Sequence, residues 1–473
     1  MAIADPGSEQ MQAVSRRSFL GRSTAAGLGI ALIGSVDVVF GAGTAEASEA
    51  RDGGADQRPI GYGPLVQDPA GLLSLPAGFS YTLIAESGVT RLVSGEPTPS
   101  DPDGTASFSL RGGGNVLVNN HEIDGTEPFP VPHLSGLVYD EQANGGTTNI
   151  EVDKQGNRVR QYVSLAGTHN NCAGGRTPWD TWLTCEETEA ILGKPHGYVF
   201  EVDPRDQKAN QDPKPIKALG RFAHEAVAVD PNEGLVYLTE DAGNPNGLLY
   251  RYTPPRSALP LRKGSLKAFA DNAGTLEALA ATTNNGDLVP DLSVATEPGT
   301  TYLTRWLTVP DRDAQTISTR KQFSNGQITR SRKLEGMWWA DGGAYFVASF
   351  ARLTDGSAVA HDGQVWFLDP HRDTIELKLC FAYTAADQDS NPDGPDNITV
   401  SPFGGVILAE DGEGASHLVG ANDRGEAFFF ARNELNDSEF TGPNFTEQKD
   451  ILFANIQTPG HVFAIKGPFN HRH

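Results

Sequence analysis

An all-β fold, a β-propeller with six blades and small excursions between them, is what this sequence predicts, and three observations carry the prediction. Short runs of alternating apolar and polar residues follow one another from Gly104 onward. Turn residues punctuate them, since the 473 residues include 53 glycines and 31 prolines, and long helical periods are scarce. A loosely repeated unit, in which a strand ends in an acidic residue, a turn follows, and a glycine opens a strand closing on Asp-Pro, recurs roughly every 40–70 residues. A sandwich or a single barrel of this length repeats less.

The amino terminus is set apart. Ser15-Arg16-Arg17-Ser18-Phe19-Leu20 precedes an uncharged run from about Thr24 to Val36, and Thr44-Ala45-Glu46-Ala47 offers a small-residue cleavage site. That order of features is a twin-arginine export signal over residues 1–47. The apolar run is too short and too glycine-rich to span a bilayer. The expected partner is therefore the twin-arginine export machinery, the expected location periplasmic or extracellular, and no stable membrane insertion is expected. Residues 48–103 read as a segment leading into the propeller, and 104–473 as the propeller itself.

About 425 residues remain after the signal, enough for a large core. The formal net charge is −23, and losing the leader changes it little. So acidic a chain argues against nucleic acid as a partner. It also repels a phosphorylated substrate unless bound cations invert the local field. Three cysteines, an odd number, do not make a disulfide framework.

In chain order, strands are expected at Gly114–Asn119, Gly197–Val202 before Asp203-Pro204, Leu235–Thr239, Leu248–Tyr252, Ala344–Ala348, Gln364–Leu368 before Asp369-Pro370, Gly405–Ala409 and Glu426–Phe430. The Ala-rich window from Ser265 to Thr301, including Gly274 to Ala281, reads as a helix or an excursion between blades. Ile451 to Ile465 contains a strand suited to closing the ring.

The densest stretch is Gly167 to Glu187, GTHNNCAGGRTPWDTWLTCEE. Gly174-Gly175-Arg176-Thr177-Pro178 reads as a tight turn and Thr181–Cys185 as a strand. Asn170, Asn171 and Cys172 then lie on a loop before that strand, with Glu186 and Glu187 at its end. In a propeller the ends of equivalent strands converge on one face, which would gather Glu122, Glu187, Glu240 and Asp411. Carboxylates so gathered need cations to stay ionised, and hard cations such as Ca2+ suit them. Each acid capping its own surface turn is the plainer alternative. Cys172 beside carboxylates suits a transition metal; a small buried residue or a disulfide to Cys185 are its alternatives. Phe222-Ala223-His224-Glu225 and His121-Glu122 also fit a packed aromatic beside a core histidine. Asp389-Ser390-Asn391-Pro392-Asp393-Gly394 has the D-x-N-x-D-G spacing of a calcium loop but Val400 where its closing glutamate belongs. An acidic turn with Asp396 and Asn397 aimed at the cluster, or a solvated loop, fits better.

The run NNCAGG-x-TPW-x-TWLTCEE resembles the PhoX family of secreted alkaline phosphatases. The resemblance continues through Asn119-Asn120-His121-Glu122, Gly220–Glu225, Glu335-Gly336-Met337-Trp338, Pro395-Asp396-Asn397 and Ala409-Glu410-Asp411-Gly412, in the family's order. It implies a propeller, phosphate-monoester hydrolysis and a buried cluster of Fe3+ and Ca2+. It places Cys172 on the iron and Glu187, Glu225, Glu335 and Asp411 at the family's acidic positions. Lys333 stands where the family pattern Arg-Pro-Glu-Gly has an arginine to grip the phosphate of a small-molecule phosphoester, and a lysine is a point charge where an arginine is a bidentate fork. Asn170 or Asn171 would orient the phosphate. Readings from other classes are a metal-stabilised scaffold propeller and a calcium-dependent lactonase or quinone-dependent oxidoreductase.

Overall fold

The computed structural model describes residues 60–385 and 389–469; the export signal expected over residues 1–47 lies outside them. Six antiparallel sheets make up the fold. Their innermost strands are Pro102–Ser109, Asn171–Arg176, His224–Val229, Leu334–Ala340, Pro395–Val400 and Phe440–Phe445, and each packs against the next, the sixth against the first. The result is a six-bladed β-propeller, and among the described residues the only helices are short 3-10 turns.

The ring closes by pairing its two ends. The sixth blade runs Phe440–Phe445, Leu452–Ile456, His461–Lys466, and its outermost strand is Ser80–Glu86, with His461 opposite Glu86 and Lys466 opposite Ser80. The fifth blade gains Leu73–Pro76 and Leu65–Val66 at its outer edge. The segment before the first blade is thus woven into the last two, which removes the exposed edge that an unclosed sheet would leave. Ile451–Ile465 holds two strands, and the closing one comes from the other end of the chain.

The third blade extends beyond four strands, through Thr275–Leu279 and Trp306–Thr308. The Ala-rich window therefore contains a strand where a helix was one of two expectations. Leu276 and Ala278 point into the core on alternate positions, opposite Tyr252 and Tyr250, and that period of two overrides the helix preference of alanine.

Asn171–Arg176 corrects the expected turn. It is an inner strand, and the turn comes later, where Thr181 Oγ1 and Thr177 Oγ1 meet at 2.9 Å. Gly174 and Gly175 serve close approach: a Cβ on Gly175 would stand 1.8 Å from the Val227 carbonyl oxygen on the next inner strand. Glycine in a strand marks such a contact as readily as a turn.

All six inner strands carry the same irregularity. Their pairing slips between Pro102 and Thr105, Asn171 and Gly174, His224 and Val227, Leu334 and Met337, Pro395 and Ile398, and Thr441 and Asn444. A β-bulge re-aims the side chain beside it. Here the bulge repeats at one level of the propeller and, in the first five blades, turns one side chain out of the ladder; the sixth has Gly442-Pro443 at its bulge. The residue that follows is usually small. A Cβ on Gly104 would lie 2.6 Å from Ala173 Cα, and one on Gly442 2.6 Å from the Asp103 carbonyl oxygen, so the inner strands meet backbone to backbone and the axis is narrow.

Candidate metal centre

The side chains turned out by the bulges are Asp103, Cys172, Glu225, Glu335 and Asp396, each the second residue of its inner strand, with Glu439 immediately before the sixth. All are buried. Half-buried Glu187 and Asp411 join them from just beyond the second strands of the second and fifth blades. Three groups result: Cys172, Glu187 and Glu225; Glu225, Glu335 and Asp396; Asp396, Asp411 and Glu439. Within each, one donor atom per residue lies within 4.8 Å of the others. That is the span of an oxygen shell around Ca2+, whose ligands sit at about 2.3–2.6 Å. Glu225 and Asp396 each belong to two groups, which makes the donors one continuous string.

Hydrogen bonds between blades hold the string in place. The Asn120 amide donates to the carbonyls of Cys172 and Ala173, at 2.7 Å each, and accepts from Trp182 Nε1 at 2.9 Å. Cys172 Sγ sits 3.3 Å from the His224 carbonyl oxygen. Thr239 Oγ1 donates to the Glu335 carbonyl at 2.7 Å. Asn397 donates to Asp396 Oδ1 at 3.0 Å and accepts from the Gly442 amide at 2.6 Å. Buried amides so paired have little freedom to move the donors they hold.

The donor set fits cations. It consists of six carboxylates and a thiol, and the Lys333 ammonium lies 3.3 Å from Glu335 Oε1 and 3.4 Å from Asp411 Oδ2. Burial pushes the Cys172 thiol well above its ordinary range, and the Glu225 and Glu187 carboxylates push it further. A coordinating metal reverses that and takes the thiolate. The thiol is also free for it, because Cys172, Cys185 and Cys380 form no disulfide.

Not every expected residue joins the string. Glu186, Glu240 and Glu410 end the second strands opposite Asn171, His224 and Pro395. Each turns into its own blade. Glu186 accepts from the Gly197 and Tyr198 amides and meets His196 Nδ1 at 2.6 Å. Glu410 accepts from the His417 amide at 2.8 Å. Glu240 accepts from Tyr250 Oη at 2.7 Å and pairs with Arg320 at 3.0 Å; burial drives its pKa up to about 7, with Arg320 and Tyr250 pulling it down. Successive strand residues point to opposite sides, so the following residues, Glu187 and Asp411, face the axis. Glu240, expected among the metal-facing acids, is one residue out of register with them. Glu122 is in register, yet lies outside the three groups. It accepts from Gln457 Nε2 at 2.6 Å and from Asn170 Nδ2 at 3.3 Å.

Asn170, at φ 53°, also places Nδ2 3.2 Å from Glu187 Oε2, which ties Glu122 to the string. Asn171 does something else. Its amide donates to Thr184 Oγ1 at 2.9 Å and accepts from Thr168 Oγ1 at 2.6 Å inside the blade, so the expected role in orienting phosphate passes it by.

Sequence reasoning did not single out Asp103 or Glu439. A signal for the first was present: in Asp103-Gly104, Cys172-Ala173, Glu225-Ala226 and Glu335-Gly336 a donor precedes a small residue. Glu439 precedes Phe440 and carries no such mark.

The family described as alkaline phosphatase PhoX matches residues 60–460. The chain belongs to that family. It is accordingly a phosphoric monoester hydrolase. Among solved structures it is similar to Pseudomonas fluorescens PhoX in complex with vanadate, a transition state analogue, at 18% identity and a TM-score of 0.64, covering 84% of this chain and 96% of that one. A gluconolactonase from Xanthomonas campestris is similar at 12% identity and a TM-score of 0.40, over 87% of this chain and 99% of that one. No curated protein sequence matches the chain. PhoX members are metal-dependent, and the string of acidic donors is where this member offers ligands.

Proposed function

We propose that this PhoX-family protein hydrolyses phosphate monoesters at a cluster of Fe3+ and Ca2+ on the propeller axis. Cys172, Glu187, Glu225, Glu335, Asp396, Asp411 and Glu439 would hold the ions. The overlap of the three donor groups through Glu225 and Asp396 is the observation that carries this reading. The group containing the thiol suits iron, and the two all-carboxylate groups suit calcium. Bound there, the metals supply positive charge to the phosphoryl oxygens and lower the pKa of an attacking oxygen.

The chain's own residues then have definite tasks. Lys333 is buried, with its ammonium between Glu335 and Asp411 and 4.9 Å from the Phe350 ring centre, so it presents a charge to a phosphoryl oxygen from a fixed position. The Asn170 amide bridges Glu122 and Glu187 and positions the Cys172 end of the string. Met337 and Trp338 line the narrow axis below the donors together with Gly104, Gly336 and Gly442, so substrate enters from the donor face. The reading also includes export by the twin-arginine route to the periplasm or the exterior; among the described residues no helix is long and apolar enough to cross a membrane.

The test is p-nitrophenyl phosphate turnover by protein stripped with chelator and reloaded with iron and calcium. Activity that needs both ions and is inhibited by vanadate supports the reading. Fully loaded protein that turns over no phosphoester across the alkaline range contradicts it.

A further inference from the structure

We propose that Arg332 forms a second anion subsite beside the metal string, which makes phosphomonoesters with a further carboxylate or phosphate on the leaving group the preferred substrates. The inference deepens the phosphatase reading and rests on it. Its starting point is an arginine held by ion pairs too long for hydrogen bonds. The Arg332 side chain is 22% exposed, and its contacts are two long ion pairs, Nη1 to Asp241 Oδ1 at 3.7 Å and Nε to Asp355 Oδ2 at 3.5 Å. Among the described residues it makes no hydrogen bond, and its Nε is buried. Other partly buried arginines nearby are occupied. Arg330 donates to Asn325 and to the carbonyls of Asn246, Arg320 and Phe323. Arg352 pairs with Asp362 at 2.7 Å and donates to the His361 carbonyl. A guanidinium without hydrogen bonds carries a desolvation cost that an anionic ligand removes.

Its location gives the ligand. Arg332 Cζ and Lys333 Nζ lie 5.9 Å and 4.9 Å from the centre of the same Phe350 ring. Lys333 is the member of this pair that reaches the metal string. Arg332 pairs with Asp241 and Asp355, which belong to none of the three donor groups. With the transferred phosphoryl group on the string and Lys333, Arg332 is left for a charge on the alcohol portion. A planar fork of N–H donors matches a carboxylate or phosphate in two bonds, a geometry that the 3.7 Å and 3.5 Å ion pairs to Asp241 and Asp355 do not provide.

The experiment is calorimetric binding of two phosphonates, which cannot be hydrolysed, to the metal-loaded protein: 3-phosphonopropionate, which carries a second anionic group, and methylphosphonate, which does not. The wild-type protein should prefer 3-phosphonopropionate about tenfold or more, the range of a charge-assisted hydrogen bond, and Arg332→Ala should abolish that preference, with Arg332→Lys retaining part of it. A preference absent from the wild type, or surviving in Arg332→Ala, overturns the proposal. Equal weakening of both ligands in Arg332→Ala also overturns it, because Arg332 would then grip the transferred phosphoryl group itself. If the preference behaves as expected while the loaded wild type hydrolyses no phosphoester, the phosphatase reading fails and the subsite stands.

Discussion

Gly336→Ala probes how closely the ring of inner strands controls the metal string. A Cβ at this position would lie 2.8 Å from the Asp396 carbonyl oxygen, 2.9 Å from Asn397 Cα and 2.9 Å from the Ile398 nitrogen, all of them backbone. Relief to an ordinary contact requires the fourth and fifth inner strands to separate by about 0.5 Å, and overpacking of this kind costs about 1–3 kcal/mol. The separation falls between Glu335 and Asp396, two members of the central donor group. Metal sites tolerate only about 0.2 Å in ligand distance, so the central ion should be lost while the ion beside Cys172 is retained. Elemental analysis per chain together with a thermal melt reads both effects. Gly326→Ala, where a Cβ meets nothing within 4 Å, serves as the control. A Gly336→Ala protein with wild-type metal content and an unchanged Tm would mean that strand spacing does not control the donors.

Glu240→Gln should separate the buried acids from the metal-facing ones. It removes a charge opposite Arg320, which keeps Glu189 at 2.7 Å, so chemical denaturation at about pH 9, above the raised pKa of about 7, should report a loss of about 1.5–3 kcal/mol with no change in metal content. His121 gives a pH prediction. It is fully buried between the Ser100 carbonyl and Thr148 Oγ1, and burial lowers its pKa to about 4. The unfolded chain takes up this proton near pH 6.5 and the folded protein near 4, so the stability it contributes is complete above 6.5 and is lost as pH falls from there to 4. NMR of the imidazole should find it neutral at pH 5, and a charged ring at that pH would contradict the burial argument.

Much of the architecture was legible because propeller strands advertise themselves. Val116-Leu117-Val118 and Ile407-Leu408-Ala409 are short, apolar and bounded by turn residues, and they are second strands of the first and fifth blades. Ring closure was less legible. Ser80–Glu86 pairs with His461–Lys466 across almost the whole chain, and no local pattern encodes a partner so distant. At the site, Cys172, Glu187, Glu225, Glu335 and Asp411 were readable through the PhoX motifs. Glu240 was misplaced by one position because a strand end defines a region, while side-chain direction depends on register. Gly174-Gly175 resembled a turn for a similar reason: glycine signals freedom and close approach alike, and only the neighbouring Val227 decides between them. Glu439 stayed hidden because the sixth blade presents its acid one residue before the strand begins.

In this reading one thiol and a string of carboxylates hold two kinds of metal. Elemental analysis of the mature protein beside Cys172→Ala tests it most directly. Iron and calcium are expected in the wild type, with iron lost and calcium kept in the variant. Wild-type protein that binds calcium alone, or a variant that keeps its iron, would contradict it.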